Sequence, residues 1–100
     1  MGSYALSKKA VADLSAIWNY TVDTWSEKQA DKYYFMLLSF CQDLVDGKIA
    51  GKQYPMVEEN LLGFRAGKHV IFYRQEAHRK IFVLRILHSS MDIKSRMEED

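Results

Sequence analysis

The sequence predicts an α+β fold in the order βααβββ, an N-terminal helical hairpin packed on a mainly antiparallel sheet, with a short C-terminal helix. Three observations predict it. Two runs rich in β-branched and aromatic residues, Gly67-Lys68-His69-Val70-Ile71-Phe72-Tyr73-Arg74 and Ile81-Phe82-Val83-Leu84-Arg85-Ile86-Leu87-His88, each have the length of one strand. The first half of the chain instead carries apolar residues at three-four spacing, the mark of amphipathic helices. The two patterns occupy separate halves, which suits helices layered on one face of a sheet.

Each element follows from local chemistry. Tyr4-Ala5-Leu6 reads as an edge strand, and Ser7 as the N-cap of a first helix whose apolar positions are Ala10, Val11, Leu14, Ile17, Trp18, Val22 and Trp25. Ser26 with Gln29 has capping-box spacing, and Glu27 suits the positive end of a helix dipole. The second helix carries Ala30, Tyr33, Tyr34, Leu37, Leu38, Cys41, Leu44 and Val45, and Gly47 ends it. Phe35, Met36 and Phe40 lie partly off that stripe: either the apolar face is simply wide, or part of it waits for a partner. Residues 47–60 read as irregular, with Tyr54, Pro55, Met56 and Val57 anchoring the loop over the core. Leu62–Ala66 is the next strand, and Ala66-Gly67-Lys68 a tight turn. Alternation puts Val70 and Phe72 on one face of the following strand, with His69, Ile71 and Tyr73 on the other. After the connection Glu76-Ala77-His78-Arg79, it puts Phe82, Leu84 and Ile86 opposite Ile81, Val83, Arg85 and Leu87. That last strand is apolar on both sides and is expected at the centre of the sheet. Asp92 can cap a short helix carrying Ile93 and Met97, a segment with little core to contribute.

Composition narrows the function. The 100 residues read as a single domain, 48% hydrophobic and 27% charged, ordinary for a soluble chain. A net charge of +1 supplies no global field toward nucleic acid or an acidic membrane, so the chain is not expected to bind double-stranded DNA alone. The single Cys41 excludes an internal disulfide and fits a reducing, cytoplasmic compartment. No apolar run approaches the roughly 20 residues of a membrane span, and the N-terminus has no signal-peptide core. His69, His78 and His88 are dispersed, no phosphate loop or nucleophile elbow is present, and neither metal nor cofactor is expected. One pattern could carry chemistry. Arg65, Arg74 and Arg85 come from three successive strands, with His88 at the end of the last. Arginine suits bidentate phosphate contacts, and histidine can move a proton near neutral pH. The alternative is that these arginines lie along the surface or pair with carboxylates.

The segment Leu6-Ser7-Lys8-Lys9-Ala10, then Asp13-Leu14, Ile17-Trp18, Tyr20-Thr21, Trp25, Gln29-Ala30 and Tyr33, resembles the helical hairpin of ParE toxins. Gly67–Arg74 and the ending Arg85-Ile86-Leu87-His88-Ser89-Ser90-Met91-Asp92 resemble the same family's sheet and C-terminal signature. The resemblance runs from Tyr4 to about Met97. It implies a RelE/ParE-like fold and the toxin of a bacterial type II toxin–antitoxin module, without enzymatic activity. It implies a hetero-oligomer with a ParD-like antitoxin, and DNA gyrase as a target trapped as its cleaved-DNA complex. Phe35, Met36 and Phe40 are the candidate antitoxin contacts. ParE toxins place toxicity determinants near the C-terminus, so His88, Met91, Asp92, Lys94 and Arg96 are the candidate target contacts. A chain ended after Asp92 is expected to fold and bind antitoxin but to lose most gyrase trapping. RelE relatives instead cut messenger RNA on the ribosome; here that role would fall to Arg65, Arg85 and His88. A third reading is a degenerate toxin serving antitoxin binding and operon autoregulation. Two departures from the family pattern stand out. Val57-Glu58-Glu59-Asn60-Leu61-Leu62-Gly63 is acidic and lacks the family's frequent basic-Pro-Gly element, and the chain ends in the acidic Glu98-Glu99-Asp100.

Overall fold

The computed structural model describes residues 2–97, so the acidic ending Glu98-Glu99-Asp100 lies outside the described residues. Its elements are β1 (Ser3–Leu6), α1 (Lys8–Thr24), α2 (Glu27–Val45), β2 (Lys52–Gln53), β3 (Leu62–Ala66), β4 (His69–Ala77), β5 (Lys80–His88) and α3 (Ile93–Met97). The strands form one sheet in the order β1-β5-β4-β3-β2, antiparallel except where β1 runs parallel to β5. The α+β layer architecture is as the sequence predicts, with one strand more: Lys52 and Gln53 pair with Gly63 and Leu62 inside the segment expected to be irregular. With β1 outside β5 and β2 outside β3, the middle strand is β4. The expectation that Ile81–His88 is central is thereby corrected, although β5 is an interior strand covered on both faces.

The helices start where their caps direct. Ser7 Oγ accepts the Ala10 N–H at 2.9 Å, and Ser26 Oγ accepts the Gln29 N–H at 3.1 Å. After α2, Gly47 takes φ 76°, a left-handed conformation that glycine adopts without Cβ strain. Ala10 and Leu14 of α1, and Leu37, Cys41, Leu44 and Val45 of α2, pack on Ala66, Ile71, Tyr73, Ile81, Val83 and Ile86 of the sheet. Val11 and Trp25 do not join them. Trp25 is the C-cap residue and is 72% exposed, because the helix ends before its stripe completes another turn.

A smaller cluster fills the opposite face: Leu61, Val70, Phe72 and Leu87, covered by Tyr54, Val57, Leu84, Ile93 and Met97. Tyr54 and Val57 anchor the long loop as expected; Pro55 and Met56 are exposed instead. Ile93 and Met97, four residues apart, both reach this cluster, so α3 is a lid on a second core rather than a segment detached from the fold. A chain ending after Asp92 would lose Ile93 and Met97 from the cover of that cluster.

Alternation fails at one residue of β5. Tyr73 stands opposite Val83 and Phe72 opposite Arg85, which leaves Leu84 as an extra residue in a β-bulge. Beyond it the faces exchange. Ile86 joins Ile81 and Val83 under the helices, while Leu87 joins Leu84 on the far face. The bulge comes where β1 ends. Leu6 is the last β1 residue in register, opposite Val83, and Ser7 takes over by donating its N–H to Val83 O and its hydroxyl to Leu84 O at 2.6 Å. Past that point α1 supplies the edge with Asp13. Its carboxylate accepts the Ile86 N–H at 2.9 Å and the Arg85 guanidinium at 2.9 and 3.0 Å. Both side chains of this pair are well buried, at 13% and 14% exposure.

Removing the carboxylate leaves Arg85 and the Ile86 N–H without that acceptor. Asp13→Ala is expected to cost about 3–5 kcal/mol, the range for breaking a buried ion pair from one side. Urea unfolding followed by circular dichroism measures it; a loss under about 1 kcal/mol would mean that water replaces the carboxylate at no great cost.

Candidate functional site

At the end of the sheet, His69 of β4 stands directly opposite His88 of β5, the two rings in edge contact with centroids 5.2 Å apart. The β3–β4 turn brings Tyr33 of α2 against this pair. Gly67 takes φ 61°, and a Cβ there would come within 2.9 Å of the Tyr33 hydroxyl, so the turn requires glycine on both counts. That hydroxyl accepts the Lys68 N–H at 3.1 Å and lies 2.6 Å from His69 Nδ1. Burial pushes the Tyr33 phenol up, outweighing the Lys68 amide, and it remains a donor. His69 is pushed down from 6.5 to about 4, first by burial and then by His88, with Asp13 opposing. His69 is therefore neutral near pH 7, its Nδ1 sharing a hydrogen bond with the Tyr33 hydroxyl, which also donates to Ala66 O at 3.3 Å. His88 Nδ1 accepts the Ser90 N–H at 3.1 Å, with the Ser90 hydroxyl at 2.7 Å, so in the neutral ring the proton sits on Nε2.

These histidines line a shallow cleft of about 140 Å³ together with Asp13, Arg85, Met91 and Arg96. The structure thus gathers His88, Met91 and Arg96 of the candidate target contacts and Arg85 of the candidate nuclease set. Asp92 instead caps α3, its carboxylate accepting from Ser95 N at 3.4 Å and Ser95 Oγ at 3.0 Å. Lys94 is exposed on α3. Arg85 also donates to the Arg96 carbonyl at 2.9 Å, so one guanidinium joins α1, β5 and α3.

The three strand arginines do not form a set. Arg65 lies opposite Val70, on the face away from the long helices, and donates its Nε to Gly67 O at 2.8 Å. Arg74 pairs with Glu58, an acidic residue of the departing loop. Arg85 is engaged by Asp13 through two nitrogens. Any phosphate in the cleft must compete with that carboxylate for the fork.

The aromatic surplus of α2 also divides. Phe40 packs on Phe64 with ring centroids 5.3 Å apart, and Met36 packs against the main core. Phe35 alone remains largely exposed, at 64%, beside a groove of about 380 Å³ between α1 and α2 lined by Ser15, Trp18, Asn19, Asp31 and Tyr34. Cys41 is inert by environment: burial pushes its thiol up to about 12. Among the described residues no group of three side chains is arranged to hold a metal, and no helix is long and apolar enough to cross a membrane.

The family model described as the ParE toxin of the type II toxin–antitoxin system parDE matches residues 4–93. The chain belongs to the ParE toxin family. Toxin ParE1 of Caulobacter vibrioides is 33% identical over 101 residues, spanning 97% of this chain and 99% of that protein. Toxin ParE1 of Mycobacterium tuberculosis is 32% identical over 90 residues, spanning 90% and 92%. A solved chain from the chromosomal ParDE TA system of P. aeruginosa superposes with a TM-score of 0.73 at 24% identity, covering 88% of this chain and 96% of that one, and shares the fold.

Sequence reading of this ParE chain missed Asp13, His69 and Tyr33 as site residues. A signal for Asp13 was present: it adjoins Leu14 within the apolar spacing of Ala10, Leu14 and Ile17, where a carboxylate needs a partner. The His69–His88 contact depends on cross-strand register, which alternation alone does not supply.

The depressed His69 gives stability a definite pH dependence. The unfolded chain takes up a proton near pH 6.5 that the folded chain refuses until about 4. Stability is therefore full above the higher value and falls as pH drops through that window. Urea midpoints measured across it should fall more steeply for the wild type than for His69→Gln; parallel curves would place the sensitivity in other groups.

Proposed function

We propose that this ParE-family chain is a binding toxin, not an enzyme, that holds DNA gyrase in its cleaved-DNA complex and is neutralised by a ParD-like antitoxin in a hetero-oligomer. One observation carries the choice against ribosome-dependent RNA cleavage. The arginines that a nuclease would turn on a scissile phosphate are already engaged, Arg65 by the Gly67 carbonyl and Arg85 by Asp13. Phosphodiester cleavage needs such charges preorganised around the reacting group. What remains is a contact surface: exposed Met91 and Lys94, with Arg96 and His88, at the end of the sheet and on α3. Asp92 serves that surface indirectly, by capping α3. For the antitoxin, the proposed seat is the groove beside Phe35; Met36 and Phe40 pack on the core instead.

Purified chain added to gyrase and supercoiled plasmid is expected to accumulate cleaved DNA, and antitoxin to abolish the effect. Lys94→Glu should weaken trapping about tenfold while leaving the fold intact. In a ribosome assay the wild type is expected to leave messenger RNA uncut. Cleavage that falls about 100-fold in His88→Ala, the usual size of a lost proton-transfer group, would establish the nuclease reading instead.

A further inference from the structure

The groove between α1 and α2 contains a carboxylate set among aromatic rings. Trp18 of α1 donates its indole N–H to Asp31 Oδ1 of α2 at 2.9 Å. That bond uses part of one oxygen's accepting capacity and fixes the direction of the other. Among the described residues Asp31 belongs to none of the ion pairs, which join Arg74 to Glu58, Arg79 to Asp46 and Arg85 to Asp13. Phe35, one turn beyond Asp31, is exposed and meets Tyr34 edge-on at 5.5 Å.

This combination selects its occupant by charge. Ring faces carry negative quadrupoles, and a carboxylate beside them makes the site complementary to a cation. A purely apolar anchor would strip water from Asp31 without replacing it. A guanidinium meets both features, since its plane lies against Trp18 or Phe35 while an edge donates to Asp31; an ammonium gives the charge without the plane. The groove is wide and open, suited to a side chain carried in on a partner's backbone.

We infer that this groove receives an arginine side chain from the toxin-binding segment of the antitoxin, with Asp31 accepting the guanidinium and Trp18 and Phe35 flanking it. The inference rests on the antitoxin reading above and adds the chemistry of the contact. Asp31→Asn is the discriminating variant, because its amide oxygen still accepts from Trp18 while the charge is gone. With Trp25→Phe as background, Trp18 is the remaining indole of the chain and reports occupancy by fluorescence.

The experiment titrates the full-length toxin with the antitoxin encoded beside it, at low and high salt, with circular dichroism of each variant as control. Asp31→Asn is expected to weaken binding about tenfold and to flatten its salt dependence, and Phe35→Ala to weaken it by a similar factor. Each arginine and lysine of the antitoxin segment is then changed to alanine against both the wild-type toxin and the Asp31→Asn toxin. One arginine should matter against the wild type and cease to matter against the variant, the signature of direct coupling. Affinity within about threefold of wild type for Asp31→Asn, with no coupled arginine, overturns the inference while leaving antitoxin binding intact. Coupling to a lysine overturns the arginine assignment. Toxin that sediments as a dimer until Asp31 or Phe35 is changed assigns the groove to a second copy and overturns it too. Wild-type toxin that fails to bind the antitoxin at all removes the reading beneath it.

Discussion

The fold depends on how the edge of β5 is closed where β1 stops. A strand edge that loses its neighbour exposes backbone donors, and here Ile86 would present one at the margin of a packed helix. Asp13 satisfies it and at the same time holds the Arg85 fork. Burying a carboxylate and a guanidinium is costly, and three charge-assisted hydrogen bonds to one carboxylate offset that cost. The same guanidinium then reaches the Arg96 carbonyl, so the position of α3 depends on a charge pair set by α1. Helix, strand and C-terminal lid are fixed together by a contact that spans 72 residues of sequence.

That contact also explains what was legible in the sequence. Both long helices were readable because their starts are local: Ser7 and Ser26 each cap a helix three residues on, and the apolar spacing follows at once. The strands were readable from composition, and the faces of β4 from alternation. The faces of β5 were not, because one inserted residue, Leu84, reverses every assignment after it. Nothing in Val83-Leu84-Arg85 marks a bulge; its position reflects where Ser7 and Asp13 replace β1, a tertiary circumstance. The two-residue β2 was invisible for a similar reason, since Lys52 and Gln53 pair only because Gly63 and Leu62 lie beside them.

The candidate site shows the same division. His88, Met91 and Arg96 were legible as neighbours because they are close in sequence at the end of the last strand. Their partner His69 comes from register, and Arg65, its Nε held by the Gly67 carbonyl, is not among the residues that line the cleft. Two coverings of one sheet then take different roles. The helical layer carries the larger core and the outer groove. The loop and α3 cover the smaller core, and α3 also bounds the cleft, together with α1 and the ends of β4 and β5.

On the proposed reading these two surfaces belong to different partners, and α1 lies between them. Asp13 faces the cleft and Trp18 the groove, five residues or about 7.5 Å apart along one helix. An antitoxin seated on Trp18 could act by bulk alone, since its chain need only pass near α3. It could also act by coupling, if seating shifts α1 and with it the Asp13–Arg85 pair that holds Arg96. The two differ in what they demand. Bulk requires no change in the toxin, whereas coupling requires that weakening the Asp13–Arg85 pair alter antitoxin affinity from the far side of the helix, because linkage between sites is reciprocal. Ile93 and Met97 seat α3 on the smaller core and the Arg96 carbonyl ties it to Arg85, so the charge pair is a place where such coupling would act.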